Sequence, residues 1–381
     1  MAGIRSGEAT AEVVALELGI TARRVRQIYR GYLEACSKEQ QARWEPGTSG
    51  EYHGREIPDE VQTLWKTLLS AEPPASYSFA ASEALRRCAY SIDRATVRRW
   101  ARQKGLSHSP ERAKPQDPLR RWQCGKIGAL WQLDACIHPW FGPTVPKLAM
   151  LNMLDDCSRV ITGTHLYPRE CLLAYLDFLP RAFEAYGVPV ALYVDYHSYF
   201  FTHIPDNLTY LAAALRFYGI HLKYAPTPQA KGKIERHHQF WQNRLPSSFS
   251  AERINTIEPA NPHVDLLRLH HNQQEIHREI HMTPEAAWNQ ARREKRSALR
   301  PCPRDLWWKY IWTIRCRTRV DLDGTVPVET IRLKIAARAF SYVLRCQHPD
   351  GSYTFLANEP GTGGKPIVLL RYEGSGSQWK V

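Results

Sequence analysis

The chain of 381 residues has no CxxC pair, no run of 18 or more apolar residues, only four methionines and a shortage of acid. Each deficit excludes something. Its nine cysteines are odd in number and scattered singly from Cys36 to Cys346. That pattern argues against a disulfide framework or a cysteine zinc site and fits reduced thiols. Without a long apolar run, no membrane span is expected. The opening MAGIRSGEATAEVV has no apolar core of the kind a secretory leader needs, so the protein is expected to stay in the cytoplasm.

Acid is outnumbered by base, 38 Asp and Glu against 51 Lys and Arg, a net charge of +13. A basic balance suits a polyanion, because each neutralised phosphate releases counterions. The excess is concentrated. From Arg86 to Lys126 there are twelve Lys and Arg against three acidic residues, and a second basic run, RREKRSALR, covers Arg292–Arg300.

The chain reads as several domains with three kinds of patterning. Residues 1–45 hold a helix-turn-helix pattern. Ala11–Leu18 is a short amphipathic helix, Gly19-Ile20 a tight turn, and Thr21 caps a second helix. Ala15 and Val25 are the small and β-branched residues that let two such helices pack. The second helix presents Arg23, Arg24, Arg26 and Gln27, side chains suited to phosphates and base edges. A plain helical hairpin with a solvated face is the competing reading. After a Gly/Pro/Ser linker, residues 57–108 form a second helical module, ending in DRATVRRWARQKGL with Asp93 as N-cap. Ala95, Val97, Trp100 and Ala101 make its buried stripe and Arg94, Arg98, Arg99 and Arg102 its exposed one, again either DNA-reading or merely solvated. Residues 109–128 are a basic connector that includes Arg120 and Arg121.

From residue 129 to about 300 the pattern is βββαβαβα followed by helix, which predicts an α/β layer domain with a mixed sheet. Residues 311–381 read as short strands with turns at DLDG and HPDG, a small β-barrel.

Three carboxylates stand out. Asp134 lies inside the first strand, Asp195 ends the fourth, and Glu235 sits in the first turn of the helix after Ala230-Lys231-Gly232. A carboxylate within a buried sheet is costly unless its charge is compensated, and divalent cations compensate it. Lys231, Lys233 and Arg236 surround Glu235 at a helix start and read as phosphate contacts. Asp155 and Asp156 read as a structural turn, with Arg159 paired to one of them. His197 reads as a buttress of the turn after Asp195, and His237 and His238 as surface or DNA-facing side chains. Trp131, Trp241 and Trp122 read as core.

The segments WQLDAC, LNMLDDCSRVITG, LYVDYHSYF, YAPTPQAKGKIERHHQFWQNRL and HNQQEIHREIHMTPEAAW run in order across residues 129–288. Together they resemble the DDE catalytic core of bacterial insertion-sequence transposases and retroviral integrases. The resemblance implies a ribonuclease-H-like domain with a mixed five-stranded sheet. It implies that Asp134, Asp195 and Glu235 are catalytic metal ligands for Mg²⁺ or Mn²⁺, two ions per site. It further implies cleavage of transposon ends and transfer of the 3′-OH strand into target DNA by a homo-oligomer, at least a dimer, associated with the nucleoid. Two departures from the family pattern stand out. Thirty-nine residues separate Asp195 from Glu235, and Tyr196-His197 stands where many relatives have Asn-Gly. No His-His-Cys-Cys module precedes the core. An inactive relative kept as a DNA-binding regulator, or a ribonuclease-H-like structure-specific nuclease, remains the alternative.

Overall fold

The computed structural model describes residues 4, 6–7, 9–37, 56–107, 123–204, 207–225 and 231–374. Most of the 109–128 connector, with Arg120, Arg121 and Trp122, lies outside them. The chain divides into two compact units, Met1–Pro58 and Asp59–Val381.

The first unit is built on two helices, α1 (Ala11–Leu18) and α2 (Ala22–Ser37). Thr10 caps α1, Gly19 adopts the left-handed conformation at φ +63° that ends it, and the Thr21 hydroxyl accepts from Arg24 N at 3.3 Å to start α2. Ala15 and Val25 are buried where the helices meet.

The second unit opens with α3 (Asp59–Leu69), α4 (Tyr77–Cys88) and α5 (Arg94–Gln103), packed around Trp65, Phe79, Val97 and Trp100. Asp93 caps α5 as expected, and Arg94, Arg98, Arg99 and Arg102 are all exposed. Ala95, expected in the buried stripe, is exposed as well, since it falls in the first turn on the arginine side.

The centre is a five-stranded sheet of β1 (Trp131–His138), β2 (Leu148–Asp155), β3 (Ile161–Tyr167), β4 (Ala191–Val194) and β5 (His221–Tyr224), in the order β3-β2-β1-β4-β5. β1 to β3 form the expected antiparallel meander, whereas β4 and β5 run parallel to β1. The parallel strands need crossovers, which α6 (Leu172–Tyr186) and α7 (Tyr210–Phe217) supply. The main core lies between the sheet and α6, with Leu151, Met153, Phe178, Leu179 and Phe183 among its members. Gly163 on β3 is where α6 comes closest: a Cβ there would stand 2.8 Å from Phe178 Cζ. After the sheet come α8 (Gly232–Gln242), α9 (Leu245–Glu252), α10 (Ile257–Gln274) and α11 (Pro284–Arg293).

Helix α10 closes the outer edge of the sheet. Asn261 accepts from Leu166 N at 2.7 Å and donates to Leu166 O at 3.1 Å. Asn272 treats Ile161 the same way, at 3.0 and 3.1 Å. Two amide side chains thus occupy backbone groups of β3 that an edge strand otherwise leaves unpaired.

The C-terminal region departs from the expected barrel. It is a four-stranded antiparallel sheet in the order β11-β10-β9-β6, with β6 (Ile314–Arg319), β9 (Tyr342–Gln347), β10 (Tyr353–Leu356) and β11 (Val368–Tyr372). A separate hairpin consists of β7 (Thr325–Val328) and β8 (Ile331–Lys334). Among the described residues no hydrogen-bonded ladder joins the two into a closed barrel. Instead one apolar cluster, including Val326, Val328, Val343 and Phe355, packs hairpin against sheet. Trp308 and Trp312 tie this region to the central layer, Trp308 donating to Glu184 at 2.7 Å and Trp312 lying 5.7 Å from the Phe183 ring. No helix among the described residues is long and apolar enough to cross a membrane.

Candidate active site

The strand register places the first two carboxylates. Trp131 of β1 pairs with Leu192 of β4 in the parallel direction. That ladder ends at Gln132 and Tyr193, so Asp134 and Asp195 each stand two residues beyond the last paired position. Asp195 is the first residue past β4, where the backbone turns; its Oδ1 accepts from His197 N at 3.2 Å. The His197 ring lies 4.5 Å from that of Tyr199, consistent with a buttress of this turn. Tyr196 is exposed and stacks on Tyr224 at 5.0 Å.

One cation meets both acids. Lys231 Nζ lies 2.7 Å from Asp134 Oδ1 and 3.7 Å from Asp195 Oδ2. The lysine is only 5% exposed. It immediately precedes α8, and Glu235 follows it by one helical turn on the same face of that helix. Glu235 itself is exposed. Among the described residues no three His, Cys, Asp or Glu side chains already converge as a metal cage. The structure therefore brings Asp134 and Asp195 together around Lys231 and leaves Glu235 exposed in the first turn of α8, joined to neither.

Behind Asp134 lies a buried polar layer. Its antiparallel partner on β2 is Asn152, which accepts from the Thr164 hydroxyl at 2.8 Å and lies 3.2 Å from His237 Nδ1. His238 Nδ1 is 3.9 Å from Asp134 Oδ2. Both histidines are buried, which corrects the expectation that they face solvent or DNA. They sit on the sheet side of α8, the face that carries Ile234 and Trp241 into the core. Burial lowers the pKa of each; for His238 it outweighs the opposing charge of Asp134.

The remaining basic residues are largely engaged within the chain. Lys233 Nζ lies 2.5 Å from Asp156 Oδ1, and Arg236 2.7 Å from Glu279. Arg26 pairs with Glu12, and Arg24 donates to Gln27 at 2.8 Å, while Arg23 is exposed. Asp155 and Asp156 are completely buried and structural. Asp155 accepts from Gly128 N, Trp131 Nε1 and both Ser158 N and Oγ. Asp156 accepts from Cys124 N and Gln132, and its backbone carbonyl takes Arg159. Sequence reasoning missed the Lys231–Asp134 pair. The available signal was the four-residue spacing from Lys231 to Glu235.

Donor chemistry fits a hard divalent ion: two carboxylates already share one cation, and a third follows that cation by one helical turn.

The five-stranded sheet, with three strands antiparallel and two parallel, is the mixed sheet that the motif resemblance implied. In sequence the chain is similar to the transposase for insertion sequence IS1202 of Streptococcus pneumoniae, 32% identical over 165 residues, which cover 42% of this chain and 34% of that protein. It is similar to the putative transposase y4bF of Sinorhizobium fredii, 28% identical over 211 residues, or 51% of this chain and 46% of that one. The matches thus span about a third and under half of those relatives' own lengths. No model of a known protein family matches the chain. Among solved structures, a chain of the simian T-cell lymphotropic virus intasome, determined with the PP2A regulatory subunit B56 gamma, aligns at 14% identity and a TM-score of 0.39, covering 77% of this chain and 98% of that one. The catalytic core domain of BIV integrase aligns at 19% and 0.35, covering 44% and 98%. The motif resemblance to insertion-sequence transposases is borne out as a likeness to transposases, which is what both curated relatives are named.

Proposed function

We propose that the protein is a DNA transposase that cuts transposon ends and transfers the freed 3′-OH strands into target DNA. The observation that carries this reading is the convergence of Asp134 and Asp195 on a single cation, Lys231. The similarity to two curated transposases supports it. Asp134, Asp195 and Glu235 would hold Mg²⁺ or Mn²⁺, two ions per site. Bound there, the ions supply an activated hydroxyl and stabilise the leaving oxygen of the phosphodiester.

The chain's own residues do the rest. Asp134 is carried by β1 and Asp195 by the turn that follows β4, and Lys231 lies between their carboxylates. The polar layer of Asn152 and His237 lies behind Asp134 and borders it with neutral groups. In the overall reaction water adds at the end phosphodiester and releases a 3′-OH. That hydroxyl then attacks a target phosphodiester in line, loses its proton, and displaces the target 3′ oxygen.

In this reading residues 1–45 and 57–108 are helix-turn-helix modules that recognise the terminal inverted repeats. Arg23, Arg24, Arg26 and Gln27 lie on one reading helix and Arg94, Arg98, Arg99 and Arg102 on the other. The 109–128 linker grips phosphate through Arg120 and Arg121, 129–300 is the catalytic core, and 311–381 is a small β module. Lys231, Lys233 and Arg236 meet the DNA phosphates beside the core acids. Joining two ends requires a homo-oligomer, at least a dimer, and the work is done at the nucleoid.

The test is a gel assay on duplexes taken from the DNA flanking the gene. Wild type cleaves and joins them with Mg²⁺. Asp195→Asn retains end binding by mobility shift and loses both reactions by at least about a hundredfold. Joining by the variant at the wild-type rate, or equal turnover in chelator, overturns the assignment.

A further inference from the structure

Lys231 occupies an unfavourable place. Its ammonium is nearly excluded from water, at 5% exposure, and it stands at the positive end of the α8 dipole, where a cation is repelled. Two contacts offset those costs: the charge-assisted hydrogen bond to Asp134 at 2.7 Å and the approach to Asp195 at 3.7 Å. The dependence is mutual. Two like charges stand on either side of one ammonium, and the lysine screens them. Lys233, two residues on, has turned elsewhere and lies against Asp156.

We propose that Lys231 is a built-in counter-cation of the carboxylate pair, which a divalent ion must displace before it binds. The inference rests on the reading of Asp134 and Asp195 as metal ligands. An ammonium and a divalent ion cannot share the same carboxylate oxygens without strong like-charge repulsion. Metal affinity is therefore reduced by the fraction of molecules in which the lysine holds the acids. The same contact keeps the acid pair together in the metal-free protein. Lys231 is thus a positioning residue that sets how readily the site loads.

The measurement is Mn²⁺ binding to the full chain, without DNA, followed by the electron paramagnetic resonance signal of free Mn²⁺ after chelator stripping. Lys231→Met, which keeps the length and removes the charge, binds Mn²⁺ at least about tenfold more tightly than wild type and melts at lower temperature in EDTA. Lys231→Arg stays within about threefold of wild type. Lys233→Met, which removes the same charge nearby, also stays within about threefold, which separates displacement from a general field effect. A wild-type measurement stands beside these in case Lys231→Met does not fold. Amine acylation read by mass spectrometry finds Lys231 protected in EDTA and several-fold more reactive with Mn²⁺, the other lysines serving as references.

Lys231→Met with unchanged Mn²⁺ affinity, or Lys231 acylation indifferent to Mn²⁺, overturns the inference. If Asp134→Asn still weakens Mn²⁺ binding in that case, the metal site stands and only the role of Lys231 falls. If neither Asp134→Asn nor Asp195→Asn weakens Mn²⁺ binding by wild type, the metal site itself falls and the inference with it.

Discussion

Replacing Asp155 by Asn tests whether the acid that ends β2 is scaffolding. Its Oδ1 accepts from Gly128 N at 2.8 Å and Trp131 Nε1 at 3.0 Å; its Oδ2 accepts from Ser158 N at 2.8 Å and Ser158 Oγ at 2.7 Å. An asparagine offers one oxygen and one NH₂, so one pair of donors must face a donor. The cheaper choice turns the NH₂ toward Ser158, whose hydroxyl can rotate to accept, and leaves a single buried backbone N–H without a partner. That costs about 1–3 kcal/mol. Some of it is returned, because burial pushes the Asp155 carboxyl above its ordinary pKa: the charge is held at a cost that a neutral amide avoids. The net expectation is a loss of about 1–2 kcal/mol for Asp155→Asn and at least about 4 kcal/mol for Asp155→Ala, which orphans all four donors. Urea unfolding followed by tryptophan fluorescence reads both, since the Trp131 indole is one of the four. Activity per folded molecule should not change. An Asp155→Asn variant as stable as wild type refutes the hydrogen-bond argument, and one that is fully folded yet unable to cleave DNA places Asp155 in the chemistry.

Acid should weaken the fold well above the carboxylate range. Burial holds His277 down to about 4, with Arg159 and His271 adding to it, and burial lowers His165, His237, His238, His263 and His270 as well. These rings stay neutral in the fold while the unfolded chain protonates them near pH 6.5, so the stability present above about 6.5 is lost as pH falls through about 4. Urea midpoints at pH 7.5, 5.5 and 4.5 measure this; a flat profile down to pH 5 contradicts it. Gly163→Val should destabilise by about 1–3 kcal/mol through overpacking against Phe178 and Ala182, and Phe178→Leu in the same chain should recover part of it. Arg98→Ala and Arg102→Ala should leave the melting temperature within about 1 °C, because both side chains are exposed, yet weaken end binding by about 1–3 kcal/mol if either reads a base. Calorimetry beside binding isotherms separates the two effects.

Much of the catalytic layer was legible in the sequence because its signals are local. A short apolar run, ALWQLDAC, marks β1, the run PVALYVD marks a buried strand, and Gly219 ends a helix where a glycine would be expected to. Asp134 stood out because an acid among apolar strand residues needs an explanation. The partners of the basic residues were not legible. Lys231 and Asp134 are 97 positions apart, Lys233 and Asp156 77, and no periodicity encodes which carboxylate a lysine reaches across a fold. The histidines after Glu235 misled for a related reason: polar side chains in a charged helix suggest a wet face, and only the packing of α8 on the sheet shows them buried beside Asn152. The barrel expectation failed at closure, because strands and turns can be read one by one whereas the pairing of the first with the last cannot.

The two asparagines of α10 also bear on how copies of this chain can meet. A free sheet edge is the cheapest surface on which a second molecule can add, since the backbone supplies the adhesive and any sequence can use it. With Ile161 and Leu166 already bonded by Asn272 and Asn261, continuation of the sheet past β3 is obstructed. A contact made at this edge has to be built from side chains, which are specific, and not from open backbone, which is indiscriminate. Closing that edge removes one route to aggregation.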